Sequence, residues 1–168
     1  MRRSGVLLPV TSLPSRFGIG TFSKEAYAFV DFLKEAGQKL WQILPLGPTG
    51  YGDSPYQAFS TFAGNPYLID LEELIENGWL TEEECENTDW GGSKSYVDYE
   101  KMSQGRFPLL RKAYQNSHIA ENAEFIAFCE ENDWWLSDYA LFMAIKDSQG
   151  GASFLEWDAP LKLRRSRA

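Results

Sequence analysis

Four side chains that a loop could display to a ligand lie close together in the stretch Leu44–Leu68: Tyr51, Asp53, Ser54 and Tyr56. Hydroxyl and carboxylate groups can bond sugar hydroxyls, and a flat tyrosine ring can stack on a pyranose face. The stretch holds four of the fourteen glycines and four of the eight prolines, so it is predicted to be a rigid loop that displays its side chains. Two interpretations of the loop stay open: a structural Ω-loop, or a loop that displays its side chains for binding. For Asp53 two roles stay open as well: it bonds sugar hydroxyls, or it caps the turn at Ser54-Pro55.

Other catalytic arrangements do not match the sequence. His118 is the only histidine, and no serine lies in a G-x-S-x-G turn. The G-x-G at 18–20 lacks the third glycine and the lysine of phosphate-binding loops. Cys85 and Cys129 have neither C-x-x-C spacing nor a nearby histidine, so we expect neither a metal site nor a disulfide. The sequence spacing of the 24 acidic residues does not mark any two of them as a carboxyl pair that could cleave a glycosidic bond.

The bulk composition excludes several classes of partner. The net charge of −8, from 24 acidic and 16 basic residues, repels phosphate backbones and argues against nucleic-acid binding. The apolar run Val6–Val10 is too short for a signal peptide, and no stretch approaches the roughly 20 apolar residues of a membrane helix. We therefore expect a cytoplasmic globular protein that binds neither nucleic acid nor membrane.

The elements that position the Leu44–Leu68 loop are predicted by the first seventy residues. Gly5–Val10 and Leu40–Leu44 are short apolar runs typical of buried parallel strands, and Lys24–Ala36 has the apolar periodicity of a helix that Ser23 caps. A strand, a helix and a strand form a βαβ unit, so the loop leaves the carboxyl end of the second strand, where α/β proteins place their ligand sites. A further short strand is predicted at residues 67–69.

After Asp70 the pattern becomes helical. Capping boxes at Asp70/Glu73 and Thr81/Glu84 predict two short helices. The remaining predicted helices are one from Tyr99 that breaks near 105–107 and restarts at Pro108, one around 125–129, and one that Asn132 or Asp133 begins and that ends near Gly150.

The strings LGPTGYGDSPYQ and FAGNPYLI, at residues 46–57 and 62–69, closely resemble the amino-terminal part of the 4-α-glucanotransferases, the amylomaltases or disproportionating enzymes. The resemblance implies an α/β fold, namely the first part of a (β/α)₈ TIM barrel with a mostly helical inserted subdomain. Residues 1–70 would be the first strand–helix units with the glucan-binding loop, and residues 71–168 the insertion. It also implies that Ser54 and Tyr56 line a donor-side sugar subsite, and that Tyr51 offers an aromatic platform.

The implied reaction transfers a segment of a 1,4-α-glucan to the 4-hydroxyl of another glucan or of glucose, by a retaining double displacement without a cofactor. The family's catalytic strings R-x-D-H, A-E-D-L-G and T-H-D-N do not occur here. A complete barrel needs about 250 residues, and the last residues resemble an interrupted helix, so we expect the chain to need the missing carboxyl-terminal part of the same enzyme and to be inactive alone. The alternatives are a non-catalytic glucan-binding fragment and a related α-amylase-type hydrolase.

Overall fold

The computed structural model describes residues 2–50, 52–93 and 95–165. The chain divides into two compact units, Met1–Ile119 and Ala120–Ala168. Each unit has its own secondary structure and is described by itself.

A two-stranded parallel sheet opens the first unit. Strand β1 (Gly5–Leu7) pairs with strand β2 (Leu40–Gln42) in the register Gly5↔Leu40, and the amide of Leu8 extends the ladder to the carbonyl of Gln42 at 3.0 Å. Gly5 is required at this point, because a Cβ there would lie 2.5 Å from the carbonyl oxygen of Leu40. The predicted parallel pairing is confirmed.

The predicted burial of these two strands is wrong for the chain as it stands. Leu7 is 57% exposed and Leu40 is 50% exposed. The physical reason is that no third strand pairs with either edge in the described part of the chain, so the sheet has two open edges.

Helix α1 (Lys24–Glu35) forms the crossover between the strands, as the sequence predicts. The hydroxyl of Ser23 accepts a hydrogen bond from the amide of Glu25 at 3.3 Å and caps the helix. Ala26 of this helix is buried in a cluster with Val10 and Leu13, and the side chain of Trp41 packs against the same cluster. The loop that follows β2 therefore leaves a helix-backed sheet.

Three helices complete the first unit: α2 (Leu71–Glu76), α3 (Glu82–Glu86) and α4 (Tyr99–Ser117). The capping box at Thr81/Glu84 is confirmed, with the Thr81 amide donating to Glu84 at 2.9 Å and the Glu84 amide donating to the Thr81 hydroxyl at 3.3 Å. Asp70 caps α2 by accepting from the amide of Glu72 at 3.3 Å.

Two predicted features of this unit are wrong. The helix from Tyr99 does not break near 105–107 but continues through Pro108, because the buried side chains of Met102 and Leu109 hold both halves against the core. The predicted strand at 67–69 is instead a 3₁₀ turn, Pro66–Leu68, in which the Asn65 side chain accepts from the amide of Tyr67 at 3.0 Å.

The second unit contains a single long helix, α5 (Ala123–Ser148), a 3₁₀ turn (Phe154–Glu156) and the short helix α6 (Ala159–Lys162). The sequence predicts two helices in place of α5, and this is wrong. Asn132 does not begin a helix but lies inside α5. Its side-chain Nδ2 donates to the carbonyl of Phe128 at 2.8 Å, and its Oδ1 accepts from the indole of Trp135 at 3.0 Å. No helix in the described part of the chain is long and apolar enough to span a membrane.

Candidate functional site

The Leu44–Leu68 loop is closed at its base by backbone hydrogen bonds. The amide of Asn65 donates to the carbonyl of Leu46 at 2.8 Å, and further out the amide of Phe59 donates to the carbonyl of Pro48 at 3.3 Å. The two arms therefore run beside each other, and the residues between them form the tip of the loop. Such a loop has ends that lie close together and presents its tip to the solvent.

Close approach of the two arms depends on Gly47. A Cβ at this position would lie 2.8 Å from the Cβ of Ala58 and 3.1 Å from the carbonyl oxygen of Ser60. Both neighbouring atoms are fixed to the opposite backbone, so a side chain at Gly47 would separate the arms.

Asp53 lies at a tight turn within the tip. Its φ of 51° is in the left-handed region, and its amide donates to the carbonyl of Gly50 at 3.0 Å. One oxygen of its carboxyl group accepts a hydrogen bond from the hydroxyl of Thr49 at 3.4 Å, and burial raises the pKa of this carboxyl. The Asp53 side chain therefore contributes to the geometry of the turn, while its contact with a sugar stays a prediction.

Ser54 and Tyr56 follow this turn directly. The Ser54 hydroxyl is half-buried and accepts from the amide of Tyr56 at 3.4 Å, and the Ser54 carbonyl accepts from the amide of Gln57 at 3.1 Å. The ring of Tyr56 is 73% exposed. The turn thus holds the Ser54 hydroxyl against the backbone of Tyr56 and leaves the Tyr56 side chain accessible to solvent. Tyr51, the fourth predicted binding residue, lies outside the described residues.

The downstream end of the loop is anchored by residues that the sequence did not single out. Tyr67 is buried, and its ring packs against Tyr99 and Phe107 of α4 at centroid distances of 6.0 and 5.6 Å. Burial raises the pKa of the Tyr67 hydroxyl, which forms a hydrogen bond with Ser103 that opposes this rise. The loop base is thus held on one helix.

Arg106 of α4 completes this anchor. Its Nη2 donates to the carbonyl oxygen of Ile69, one residue beyond the loop, while its Nε and Nη1 have no hydrogen-bond partner in the part of the chain that the structure describes. A signal for it is present in the sequence, because Arg106 interrupts the apolar helical row formed by Met102, Leu109 and Ala113.

The Leu44–Leu68 stretch does not by itself supply the pair of carboxyl groups that glycoside cleavage uses. Asp53 is the only carboxylic residue in the Leu44–Leu68 sequence, and glycoside cleavage by retention needs two carboxyl groups about 5 Å apart. Among the described residues no group of three or more histidine, cysteine, aspartate or glutamate side chains is arranged to hold a metal ion. His118, the only histidine, ends α4 in a left-handed conformation with φ 50°.

Comparison with known proteins gives a consistent result. Residues 8–168 match the family model of the 4-alpha-glucanotransferases. The 4-alpha-glucanotransferase of Thermus thermophilus is 48% identical over 99% of this chain and 33% of that protein, and that of Clostridium butyricum is 47% identical over 94% and 32%. An amylomaltase from Streptococcus agalactiae, solved in complex with acarbose, has a TM-score of 0.90 and 46% identity, covering 99% of this chain and 34% of the other. The chain therefore spans about a third of the length of the curated relatives it matches.

Proposed function

Because this chain belongs to the 4-alpha-glucanotransferase family, we propose that it is the amino-terminal, glucan-binding part of an enzyme that transfers segments of 1,4-α-glucans. The observation that carries the proposal is the turn at Ser54 and Tyr56, which displays a hydroxyl and an exposed ring on a loop closed at its base. The ring of Tyr56 stacks on a glucose face, and the Ser54 hydroxyl bonds a sugar hydroxyl in the donor-side subsite.

Asp53 and Tyr51 complete the proposed binding surface. Asp53 holds the turn through Thr49 and offers its second carboxyl oxygen to a sugar hydroxyl. Tyr51 provides the aromatic platform for a neighbouring part of the glucan chain.

The wider fold is part of the same proposal. Strands β1 and β2 are the first two strands of a (β/α)₈ barrel, and residues 71–168 belong to the helical subdomain inserted into it. The open edges and exposed apolar side chains of the two strands support this, because further parallel strands would cover them. The partner of the chain is therefore the carboxyl-terminal part of the same enzyme.

In the proposed reaction the chain binds and orients the glucan while carboxyl groups from the rest of the enzyme act on the glycosidic bond. A carboxylate displaces the leaving glucan to form a covalent glycosyl-enzyme, and the 4-hydroxyl of an acceptor then displaces the carboxylate. The strings expected to carry these groups do not occur in the 168 residues. The chain alone is therefore inactive.

The binding role is tested by titrating the chain with maltohexaose in a calorimeter. Loss of the exposed ring in Tyr56→Ala is expected to weaken binding about tenfold, the value of one well-placed aromatic contact. Tyr27→Ala is the matched control, since Tyr27 is similarly exposed, at 71%, but belongs to α1. Absence of binding by the unmodified chain, or equal affinity of both variants, would contradict the proposal.

The reaction class is tested with maltotriose. We expect no turnover by residues 1–168, which distinguishes a binding part from an enzyme complete in itself. Longer and shorter oligosaccharides would identify a transferase that is active without the rest of the relatives' sequence. Glucose and maltose alone would identify a hydrolase that uses water as the acceptor.

A further inference from the structure

Arg106 is a buried cation whose hydrogen-bonding capacity is mostly unused. Its side chain is 1% exposed on α4, among the apolar groups of the first unit. Burial lowers the pKa of the guanidinium to about 10, so it remains protonated at neutral pH. Of its donors, Nη2 bonds the carbonyl of Ile69, whereas Nε and Nη1 are buried without a hydrogen-bond partner among the described residues.

Such an arrangement is poor for stability. Removing a guanidinium from water is costly, and each unpartnered donor adds to the cost. The largest favourable charge interaction of Arg106 is with the carboxylate of Asp70, whose Oδ1 already accepts from the Thr21 hydroxyl and from the Glu72 amide. Replacement of a whole buried ion pair by apolar side chains is often neutral or stabilising, and a buried cation with incomplete compensation costs more than a paired one. Stability alone therefore does not account for an arginine at this position.

The contact that Arg106 does make lies at the downstream stem of the loop, which we define as Asn65–Ile69. Tyr67 of the stem packs on Tyr99 and Phe107 and bonds Ser103, all on α4. Residues 99, 103, 106 and 107 follow the spacing i, i+4, i+7, i+8 and so form one face of the helix. Arg106 is the residue of this face that holds the stem through its backbone.

We propose that Arg106 is a positioning residue that fixes the stem on α4 and thereby sets the orientation of Ser54 and Tyr56 toward the glucan. A charged donor bonds a carbonyl more strongly than a neutral donor does. The bond from Arg106 therefore resists rotation of the Ile69 peptide, whereas the apolar packing of Tyr67 alone leaves that peptide free to rotate. The stem amide at Asn65 in turn closes the loop on Leu46. This inference rests on the proposed function only for its effect on glucan affinity.

The test compares Arg106→Met with Arg106→Lys in the 168-residue chain. Methionine keeps the approximate length of the side chain and removes both the charge and the bond to Ile69, whereas lysine keeps a donor able to reach that carbonyl. We expect Arg106→Met to unfold at the same or a higher temperature while the amides of the stem exchange hydrogen about tenfold faster. Maltohexaose binding should weaken about tenfold in the same variant, and Arg106→Lys should restore most of both losses.

Leu109→Met is the control, because Leu109 is buried on the same helix and the exchange conserves volume. It should change neither stem exchange nor affinity. Parallel loss of stability and affinity in Arg106→Met, with unchanged stem exchange relative to the rest of the first unit, would overturn the proposal and leave a structural role. Unchanged exchange and affinity would also overturn it. If the unmodified chain binds no maltohexaose the proposed function fails, and stem exchange alone then decides the role of Arg106.

Discussion

The amide of Asn65 donates to the carbonyl of Leu46 across 2.8 Å, joining two residues that are far apart in the chain at the base of the displayed loop. This bond makes Leu44–Leu68 a closed loop rather than an extended connection. The closure fixes the position of the part of the loop between these two residues, including the turn at Ser54 and Tyr56. Perturbing the base should therefore affect binding at a tip that the substituted residue does not touch.

Gly47→Ala is expected to weaken glucan binding through this coupling. The new Cβ would meet the Cβ of Ala58 at 2.8 Å and the Ser60 carbonyl at 3.1 Å, which forces the arms apart. We expect a loss of about 1–3 kcal/mol in the free energy of unfolding, as for other overpacked sites, and a lower affinity for maltohexaose. Chemical denaturation and calorimetric titration measure the two quantities.

Gly64→Ala provides the control within the same loop. A Cβ at Gly64 has no neighbouring atom within 4 Å, so this substitution should leave both stability and affinity within error of the unmodified chain. Equal effects of the two substitutions would show that loop entropy, not contact between the arms, controls binding.

Asn65→Ala should destabilise the turn at the base of the loop. The Asn65 side chain caps the 3₁₀ turn by accepting from the amide of Tyr67 at 3.0 Å. Loss of such a cap costs about 1 kcal/mol, seen as a lower melting temperature of the first unit. Asn65→Asp keeps the acceptor and should retain most of the stability, and a melting temperature as low as that of the alanine variant would contradict the capping role.

Asp53 should make stability fall as pH rises. Burial raises the pKa of its carboxyl in the folded chain, and the Thr49 hydrogen bond opposes this only in part. Its contribution is therefore complete below the unfolded pKa of about 4 and is lost as pH rises through the folded value. Asp53→Asn cannot ionise, so its stability relative to the unmodified chain should increase as pH rises from the unfolded pKa of about 4 through the higher folded pKa.

Urea denaturation at a series of pH values measures this difference. Thr49→Val removes the hydrogen bond that lowers the pKa of Asp53, so it should enlarge the pH-dependent change. A difference between Asp53→Asn and the unmodified chain that does not vary with pH would exclude a raised pKa.

Features that depend on neighbours in the sequence could be predicted, and features that depend on distant packing could not. The caps at Ser23 and Thr81 need a hydroxyl and an amide only a few residues away, so the pattern alone locates them. The break expected near 105–107 and the helix start expected at Asn132 or Asp133 rest on local signals that other contacts override. In α4 the burial of Met102 outweighs the bond lost at proline.

The candidate site divides in the same way. Ser54 and Tyr56 lie in a string that is specific enough to indicate the family from sequence, while their contact with a glucan stays a prediction. The hydrogen bond by which Arg106 holds the stem of the loop could not be predicted. Arg106 and the carbonyl of Ile69 are 37 residues apart and meet only when α4 packs on the stem. The two open edges of the sheet could not be predicted either. They arise because no further strand pairs with β1 or β2 in the described part of the chain, and a local sequence pattern does not reveal that.

Pro108→Ala should stabilise the first unit. Pro108 lies inside α4 on an exposed position, where it has no amide to donate to the carbonyl of Gln104 and its ring crowds that turn. Alanine restores the bond and the best helix propensity, at the cost of a more flexible unfolded chain, so we expect a net gain of about 1–2 kcal/mol. Pro66→Ala is the control, because Pro66 opens its 3₁₀ turn where no amide is needed, and it should give no gain. No gain in Pro108→Ala, or an equal gain in Pro66→Ala, would contradict a cost that comes from the missing bond in α4.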